Sequence, residues 1–538
     1  MTQILLICAA VLLLCSLLSK LSDRFGVPSL LLFMVLGMLF GSDGIFKIPF
    51  DNYAFAEMAC STALIFIMFG GGFDTNWKTA RPVALRGGLL SVFGVIITAG
   101  LTGLFCTFCL GMELLEGLLI GAVIGSTDAA SVFAILRGKK LNLKSGLAPM
   151  LELESGSNDP TAYTLTVMFL SLLRGGSAGT ALFTFFSQLC FGTLFGFAVA
   201  GLAMFLLKHI RFPGEAVQTI FMVAAALGSY ALPGLVGGNG YLSVYITGII
   251  LGNCRMANKA QTVHFFESIS NLMQIVLFFL LGLLAFPSRL PAVILPSVAI
   301  CLFMSVVARP AAVFAILAPF RHTVKEKLFV SFAGLRGAAA IVFAIFTSTS
   351  GVQAGSDLFH IVFCLALLSV ALQGSLLPAA AKKLRLVDEK ESVLKTFTDY
   401  EDSSDMRLLD MVIGPDHPYI GRPLSKVRLL PGSLVVMIKR GGDTIIPSGS
   451  TVVEDGDQLI LNCLTYHDDS LPLTETEISP AHPYVGKTLK TVSLPDGALV
   501  VLIKRAGSTF IPKGSTCIEA GDVLVTVQPE DPSQHKDR

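Results

Sequence analysis

Long apolar stretches constrain the fold of this chain more than any other feature of its sequence. A helix that crosses the hydrocarbon core of a bilayer needs about 20 mostly apolar residues. Thirteen stretches approach or exceed this length, and the second of them is short. They cover residues 3–19, 27–41, 56–74, 86–108, 115–136, 147–173, 181–207, 215–232, 236–252, 268–286, 291–318, 326–349 and 355–381. The sequence therefore predicts a polytopic α-helical membrane protein of about thirteen spans.

Charged residues divide the chain into two parts near Leu386. Residues 1–385 contain 39 charged residues, and residues 386–538 contain 38 in less than half that length. A soluble domain has roughly 25% charged residues, and only the second part reaches that share. We therefore expect a membrane domain at 1–385 and soluble domains after it. No basic surface interleaved with aromatic residues suggests a nucleic-acid partner.

The basic residues of the connecting loops predict an orientation. Nineteen Lys and Arg residues lie in one set of alternate loops, whereas the opposite set contains only Lys47, Arg174 and Arg289. The positive-inside rule then places the N-terminus outside and the C-terminus in the cytoplasm. The first stretch has no basic residue before its apolar run, so we interpret it as a retained span.

Charged residues within spans are costly in a membrane and usually functional, and here they occur in polar motifs of four spans. Span 5 contains Gly-Ser-Thr-Asp-Ala-Ala at 125–130, and span 6 begins Leu-Glu-Leu-Glu-Ser-Gly-Ser-Asn-Asp-Pro at 151–160. Span 11 contains Arg309, and span 12 contains Gly-Leu-Arg-Gly-Ala-Ala-Ala at 334–340. A hydrogen-bonded cluster that only holds helices together is one interpretation, although three carboxylates exceed what that task requires.

Oxygen ligands from these motifs suit a monovalent cation. Glu154, Ser155 and Asn158 lie about one turn apart on a helix, and Asp159 lies beside them. Carboxylates, an amide carbonyl and hydroxyls prefer hard ions, and no Cys/His set suits a transition metal. Desolvation favours the protonated form of a carboxylate. A group that holds either a proton or a cation is sufficient for exchange.

A weak internal similarity suggests inverted repeats. Residues 125–130 and 334–339 both follow the pattern small, polar, charged, small. Spans 5 and 12 are seven apart, so they cross the membrane in opposite directions. Six spans plus six, with span 7 as a linker, matches transporters whose site lies between inverted repeats.

These motifs resemble those of bacterial sodium/proton and potassium/proton antiporters of the monovalent cation/proton antiporter superfamily. The resemblance covers roughly residues 1–385 and rests on Thr127-Asp128, on Glu154 through Asn158-Asp159, and on residues 334–337. It implies a bacterial inner-membrane homodimer with a dimerisation domain and a six-helix core domain that moves like an elevator. It also implies that spans 5 and 12 are broken and cross near the midplane.

The resemblance further implies roles for individual residues. Asp159 alternates between proton and cation, while Thr127, Ser155 and Glu154 supply or organise further oxygens. Asn158 stands where electrogenic relatives have a second Asp, which implies one cation for one proton.

Charged residues around this set also receive implied roles. Arg336 is expected to pair with Glu154, and Asp128 to neutralise helix ends or assist the ion site. For Arg309, a structural ion pair within the core domain is as good an interpretation as a functional role in ion exchange.

The second part of the chain is a duplication. Residues 417–462 align without a gap to residues 482–527, with 25 identities in 46 positions. Each copy consists of short β-branched runs between Gly, Pro and Asp turns, with one short helix expected near Leu424 and Leu489. We therefore predict two small α+β domains in the cytoplasm.

Each copy resembles the TrkA-C subdomain of regulators of potassium conductance. We place a linker at 386–406, the first such domain at 407–470 and the second at 471–538. No Gly-x-Gly-x-x-Gly opens a βαβ unit, so no nucleotide cofactor is expected.

The resemblance to TrkA-C also implies that the two domains regulate the membrane part. A small effector such as cyclic di-AMP is a candidate ligand of these domains. The basic residues that could meet its phosphates are Lys439, Arg440, Lys504 and Arg505, unless they are merely solvated strand ends.

The leading prediction is an electroneutral antiporter, not an enzyme, that exchanges a monovalent cation for protons. Potassium is favoured because of the TrkA-C domains, with sodium as the alternative. A gated potassium channel is a different class, but no Thr-Val-Gly-Tyr-Gly filter is present. An intramembrane hydrolase is disfavoured because Ser155 and Ser157 lack a nearby base and a nucleophile-elbow pattern.

Overall fold

The structure is a computed structural model, and it forms two compact units, Met1–Ser403 and Ser404–Arg538. It describes residues 2–25, 28–139, 141, 143–144, 146–210, 215–254, 256, 259–352, 355–387, 406–415, 417–427, 429, 434–440, 443–464, 473–479, 482–492, 499–505, 508–510 and 512–527, some of them by backbone alone. Most of the predicted linker at 386–406 lies outside these residues.

The described part of the first unit is helical. Its helices are α1 (Thr2–Phe25), α2 (Ser29–Phe40), α3 (Tyr53–Asp74), α4 (Trp77–Ala80), α5 (Ala84–Leu89), α6 (Val95–Leu110), α7 (Leu114–Val123), α8 (Ala129–Gly138), α9 (Leu147–Leu173), α10 (Ala178–His209), α11 (Glu215–Gly234), α12 (Gly240–Gly252), α13 (Lys259–Leu284), α14 (Leu290–Phe303), α15 (Arg309–Ile316), α16 (Val324–Phe332), α17 (Ala338–Thr349), α18 (Leu358–Leu368) and α19 (Ser375–Lys383). Each of the thirteen apolar stretches overlaps with at least one of them.

Among the described helices, seven segments are long and apolar enough to cross a membrane. They are Tyr53–Asp74, Trp77–Leu110, Ala178–His209, Ala216–Gly234, Gln261–Leu284, Pro287–Ile316 and Leu358–Lys383. Three of these join several helices through single 3₁₀ or π turns. Five further apolar helices are shorter, and α9 is long but contains three acidic residues.

The helices pack as two groups. In the first helix group (α1–α3 and α10–α13), α3 and α13 contact each other, α12 packs against α3, α10 and α11, and α2 packs against α13. Glycine allows the closest approach, because a Cβ at Gly248 of α12 would lie 2.6 Å from the Phe69 carbonyl oxygen of α3. In the second helix group (α4–α9 and α14–α19), α7 packs against α6 and α9, and α18 against α14 and α17. The groups meet where α3 contacts α17 and where α9 contacts α10 and α12.

Two helices of the second group are interrupted, and the interruptions cross. The backbone leaves the helix between α7 and α8 at residues 124–128, and between α16 and α17 at residues 333–337. The Asp128 amide donates to the Leu335 carbonyl over 2.8 Å. The expectation that the fifth and twelfth stretches are broken and meet each other therefore agrees with this geometry.

The second unit contains two four-stranded antiparallel sheets with the same topology. Strands β1 (Met406–Val412), β2 (Leu434–Arg440), β3 (Asp443–Ile445) and β4 (Gln458–Leu464) form the order β1-β4-β2-β3. Strands β5 (Leu473–Glu477), β6 (Leu499–Arg505), β7 (Ser508–Phe510) and β8 (Val523–Val527) form the order β5-β8-β6-β7. The irregularity after Val435 in β2 recurs after Val500 in β6.

The helical content of the second unit is smaller than an α+β fold implies. In the described residues it amounts to 3₁₀ turns at Leu424–Lys426 and Leu489–Thr491. Each turn is a single short segment beside the sheet. The prediction of a short helix at these two positions is thus right in place, but the described part of each domain is mainly β.

Candidate functional site

A cavity of about 230 Å³ lies between the two helix groups and contains the predicted acidic site. We call it the Asp159 cavity. The second helix group contributes Ser126, Thr127, Asp128, Ser155 and Asp159 to its wall. The first helix group contributes mainly α3, α12 and α13. The site predicted from the fifth and sixth stretches therefore lies against helices that carry none of the predicted site residues.

The interruption before α8 brings polar groups of two stretches into contact. Asn158 donates from Nδ2 to Thr127 Oγ1 over 2.6 Å, and both side chains are buried. The Ser155 hydroxyl donates to the Thr127 carbonyl and accepts from the Ala129 amide, each over 2.7 Å. These bonds satisfy backbone groups that the helix interruption leaves without helical partners. They also fix Thr127 and Ser155 beside Asp159.

Two oxygens at the centre of the cluster have no hydrogen-bond partner among the described residues. They are Asp159 Oδ1 and Asn158 Oδ1, and both atoms are buried. Buried polar atoms are almost always hydrogen-bonded, so an exception calls for an explanation such as an absent ion or water. Carboxylate and amide oxygens are suitable ligands for a hard monovalent cation. Asp159 lines the Asp159 cavity, so its buried Oδ1 is placed to act as a cation ligand there, whereas Asn158 is not among the lining residues.

Asp128 lies at the edge of the same cluster. Its carboxylate accepts from the Ser131 amide over 3.2 Å and from the Ser131 hydroxyl over 2.6 Å, which caps the start of α8. It also lines the same cavity as Asp159. Both roles implied for Asp128, at a helix end and near the ion site, are compatible with this position.

The ion pair of Glu154 differs from the prediction. Glu154 is bonded to Arg309 Nη2, and the two side chains are almost fully buried. Arg336 instead donates from Nη1 to the Gly125 and Ser126 carbonyls, each over 2.8 Å. The predicted Arg336–Glu154 pair is therefore wrong, and the interpretation of Arg309 as the partner of a core ion pair is confirmed.

The physical reason lies in the interruption after α7. Carbonyl groups at the end of a helix lack partners and carry partial negative charge, which a cation stabilises. Arg336 belongs to the crossing segment at 333–337 and is placed against these carbonyls. Arg309 enters from α15 and reaches the carboxylate. A sequence cannot reveal which of two arginines reaches one carboxylate when both lie far from it along the chain.

Sequence reasoning missed cavity residues of the first helix group. Asp74 and Tyr245 of this group line the Asp159 cavity, and so does Glu152 of α9, a motif residue to which no role was assigned. Tyr245 packs against α9, since a Cβ at Gly156 would lie 2.7 Å from its hydroxyl oxygen. Asp74 ends an apolar stretch, where a charge usually marks only the membrane surface. The acidic residue at the end of this span was thus the one sequence signal that the first helix group contributes to the cavity.

In the second unit, the arginines proposed to meet phosphate are already bonded to carboxylates. Arg440 donates to both oxygens of Asp457, over 2.7 and 2.8 Å, and also bonds Glu454. Arg505 makes the same bonds to Asp522 and Glu519. Each arginine therefore braces its own Gly-Asp turn, which argues against both as phosphate ligands. Lys439 is exposed, and the Lys504 side chain lies outside the described residues.

The bonds to arginine change the acidity of both turn carboxylates. Hydrogen bonding to Arg505 lowers the pKa of Asp522 below its ordinary value. For Asp457, burial acts to raise the pKa, but the hydrogen bonds and charge of Arg440 outweigh it and lower the pKa. Both carboxylates are therefore ionised at neutral pH, as the two braces require.

Comparison with known proteins defines the class to which this architecture belongs. A family model described as "Sodium/hydrogen exchanger, transmembrane" matches residues 9–383, and the TrkA-C domain matches residues 408–463 and 473–530. The chain belongs to the sodium/hydrogen exchanger family. It is a multi-pass membrane protein, a cation/proton antiporter with two TrkA-C domains.

Similar individual proteins are antiporters of two kinds. The chain is 34% identical over 519 residues to the K(+)/H(+) antiporter NhaP2 of Shewanella sp. (strain ANA-3), covering 96% of this chain and 79% of that protein. It is 36% identical over 373 residues to the K(+)/H(+) antiporter NhaP of Alkalimonas amylolytica, covering 69% of this chain and 65% of that protein. The solved structure of the sodium proton antiporter MjNhaP1 from Methanocaldococcus jannaschii at pH 8 superposes with a TM-score of 0.63, at 26% identity, covering 71% of this chain and 99% of that one.

Proposed function

We propose that this protein exchanges potassium for protons and that Asp159 is the group for which the two ions compete. The observation that carries this proposal is the buried Asp159 Oδ1, which has no hydrogen-bond partner among the described residues and lies at the wall of the Asp159 cavity. Thr127 and Ser155 are fixed beside it by hydrogen bonds. Asp159 binds either a proton or a cation, because each neutralises the same carboxylate.

The charge of the site supports electroneutral exchange. Asn158 is the neighbour of Asp159 and has no titratable proton, while Glu154 is neutralised by Arg309. If Asp159 alone changes its occupant, one cation replaces one proton and no net charge moves. Asp128 supports the start of α8 and acts on Asp159 through its field.

We further propose how the molecule carries the ion. The chain makes thirteen crossings with inverted repeats of six, its N-terminus outside and its C-terminus in the cytoplasm of a bacterial cell. The second helix group carries the site and moves like an elevator against the first helix group, which dimerises. The membrane domain is residues 1–385, followed by the linker at 386–406 and the regulatory domains at 407–470 and 471–538.

The preference for potassium is supported by similar proteins rather than by the site. Relatives named K(+)/H(+) antiporters share 33 to 36% identity with this chain, whereas the Na(+)/H(+) antiporter 1 of Methanocaldococcus jannaschii shares 26% over 342 residues. Sodium is therefore the second candidate cation. Neither the donor types nor the cavity volume separates the two ions.

We propose that the TrkA-C domains regulate exchange by binding a small effector such as cyclic di-AMP. Lys439 is exposed on β2 and is available to a phosphate group. Lys504 occupies the equivalent position of β6. The bonds of Arg440 and Arg505 assign these two residues to the fold of each domain instead.

Reconstitution in proteoliposomes tests the exchange. With an imposed pH gradient, we expect the wild-type protein to dissipate the gradient when potassium is added, and to do so less effectively with sodium. Asp159→Asn should abolish exchange because an amide neither binds a proton nor neutralises a cation. Thermal unfolding in detergent should show that this variant remains folded. The rate should not depend on an imposed membrane potential.

Ser157→Ala is a matched control on the same helix, because the Ser157 hydroxyl bonds only backbone carbonyls of its own helix in the described structure. We expect it to exchange at the wild-type rate. Undiminished exchange by Asp159→Asn would exclude Asp159 as the exchanging group. A current that accompanies exchange would exclude the one-for-one stoichiometry.

A further inference from the structure

A second cavity lies along the same contact between the helix groups. It has a volume of about 340 Å³ and is lined by Tyr53, Leu170, Thr347, Ser348 and Asp357, among others. We call it the Tyr53 cavity. Tyr53 begins α3, whereas Asp74 at the other end of that helix lines the Asp159 cavity. The two cavities therefore lie at opposite ends of one seam between the groups.

Aromatic side chains fill the seam between the cavities. Tyr163 of α9 lies 5.1 Å from Tyr241 of α12 and 5.5 Å from both Phe343 and Phe346 of α17, measured between ring centroids. Tyr230 of α11 also packs against Tyr241, at 5.1 Å. We call these five residues the aromatic seal.

The order of residues along two helices places the seal between the cavities. Along α9, Asp159 lines the Asp159 cavity, Tyr163 belongs to the aromatic seal, and Leu170 lines the Tyr53 cavity. Along α17, residues 338 and 339 line the Asp159 cavity, residues 343 and 346 belong to the aromatic seal, and residues 347 and 348 line the Tyr53 cavity. The seal thus separates Asp159 from the Tyr53 cavity.

One buried amide connects the two helix groups at the seal. Asn239 precedes α12 and is fully buried. Its Nδ2 donates to the Pro160 carbonyl over 2.7 Å and to Thr164 Oγ1 over 2.9 Å, both on α9. Its Oδ1 accepts from the Leu242 amide over 3.0 Å, which fixes the orientation of the side-chain amide.

Asn239 is itself held by the first helix group. Its backbone amide donates to the Gln188 carbonyl of α10 over 3.1 Å, and its Oδ1 caps α12. Its side-chain Nδ2 instead bonds the second helix group, at the carbonyl of Pro160, the residue that follows Asp159. Asn239 therefore links the first helix group to α9 directly beside the ion site.

We propose that Asn239 is a latch that holds α9 while the Asp159 cavity is open and that releases it during exchange. The inference rests on the proposed function, because it requires α9 to move against the first helix group. A displacement of one helical turn is about 5.4 Å, which exceeds the range of a hydrogen bond. Both bonds from Nδ2 must therefore break when α9 moves by that distance against the first helix group. A bond made in only one state shifts the equilibrium toward that state.

The test uses Asn239→Ser in the full-length protein. Serine keeps an acceptor that can cap α12, but it lacks an amide donor that reaches Pro160. Loss of a buried hydrogen bond made in one state should shift the equilibrium about tenfold toward the other state. Thr164→Val removes only one of the two acceptors and should shift it in the same direction by less.

Two cysteine reporters follow the shift by maleimide labelling in proteoliposomes, with each site quantified by peptide mass spectrometry. Gly71→Cys reports on the Asp159 cavity, where a Cβ at this position meets open space. Ala344→Cys reports on the seal, because Ala344 is fully buried next to Phe343 in the chain and lies one turn from Thr347, which lines the Tyr53 cavity. In Asn239→Ser, Gly71→Cys should be labelled more slowly and Ala344→Cys about tenfold faster.

Ser229→Ala is the matched control, because it removes buried hydrogen bonds of 2.7 and 2.8 Å that lie within the first helix group alone. It should change neither labelling rate. Unchanged labelling in Asn239→Ser, or an increase at both reporters that indicates a loosened fold, would overturn the latch. Potassium/proton exchange measured on the wild-type vesicles separates the two proposals, since absent exchange there contradicts the proposed function alone.

Discussion

At the scale of single residues, the pairing of Glu154 determines the charge of the site. Glu154 is bonded to Arg309, and Arg336 is committed to the carbonyls of Gly125 and Ser126. Buried charges are stable only when they are paired and hydrogen-bonded. The two arginines therefore have separate tasks, one at a carboxylate and one at the end of a broken helix.

A double-mutant cycle tests this assignment. Arg309→Met should destabilise the protein by about 3–5 kcal/mol, because it leaves a buried carboxylate without its partner. Adding Glu154→Gln should recover much of that loss, so the two changes are strongly coupled. Thermal unfolding in detergent measures the free energies.

Arg336→Met is the control for this cycle. It should also destabilise the protein, but its effect should add to that of Glu154→Gln with much weaker coupling. Strong coupling between Glu154 and Arg336, together with weak coupling to Arg309, would contradict the pair seen in the structure.

At the scale of elements, the crossing of the two interrupted helices positions Thr127, Asp128 and Arg336. The crossing is close because Gly337 has no side chain, and a Cβ there would lie 2.4 Å from the Cβ of Asp128. Such an overlap cannot be relieved by rotation of a flexible side-chain end. The backbone segments at 124–128 and 333–337 would have to separate.

Gly337→Ala should therefore impair exchange through the geometry of the crossing. Separation of the segments strains the Asp128–Leu335 hydrogen bond and displaces Thr127 from Asn158. We expect an exchange rate at least about tenfold lower and a loss of about 1–3 kcal/mol in stability, as for overpacking. Exchange in proteoliposomes and thermal unfolding measure the two effects.

Gly100→Ala is the matched control, because a Cβ at this position in α6 meets nothing within 4 Å. It should leave exchange unchanged and stabilise the helix by about 0.5–1 kcal/mol. Wild-type exchange by Gly337→Ala would show that the crossing tolerates separation.

At the scale of the whole molecule, the residues of the Asp159 cavity all belong to the first compact unit, and the TrkA-C domains form the second. The proposed exchange needs only groups of the first unit. The duplicated domains have sheets of the same order and the same Arg-Asp brace. This division predicts that transport and its regulation are separable.

Truncation after residue 390 tests that separation. We expect the shortened protein to retain potassium/proton exchange and to lose any response of the exchange rate to cyclic di-AMP. Vesicles with and without the effector supply the measurement, and truncation after residue 470 is the intermediate control. A truncated protein that is folded but inactive, or one that keeps the full response, would contradict the assignment.

The sequence by itself determined the class of this protein and the place of its acidic site. The lengths of apolar runs, the Thr-Asp and Asn-Asp motifs and the 65-residue offset of the duplication are properties of neighbouring residues, so they are visible without coordinates. The helix interruptions were implied by the family resemblance, which was visible for the same reason, since its motif residues are contiguous at 125–130 and 334–340.

Only the tertiary structure decided which side chains meet. Glu154 and Arg309 are 155 residues apart, and Asn239 lies 79 residues from Pro160. Asp74 and Tyr245 reach the cavity from helices that carry no motif. The braces of Arg440 and Arg505 likewise depend on how each sheet folds. These contacts follow from the packing of helices and strands against one another, which a local sequence pattern does not specify.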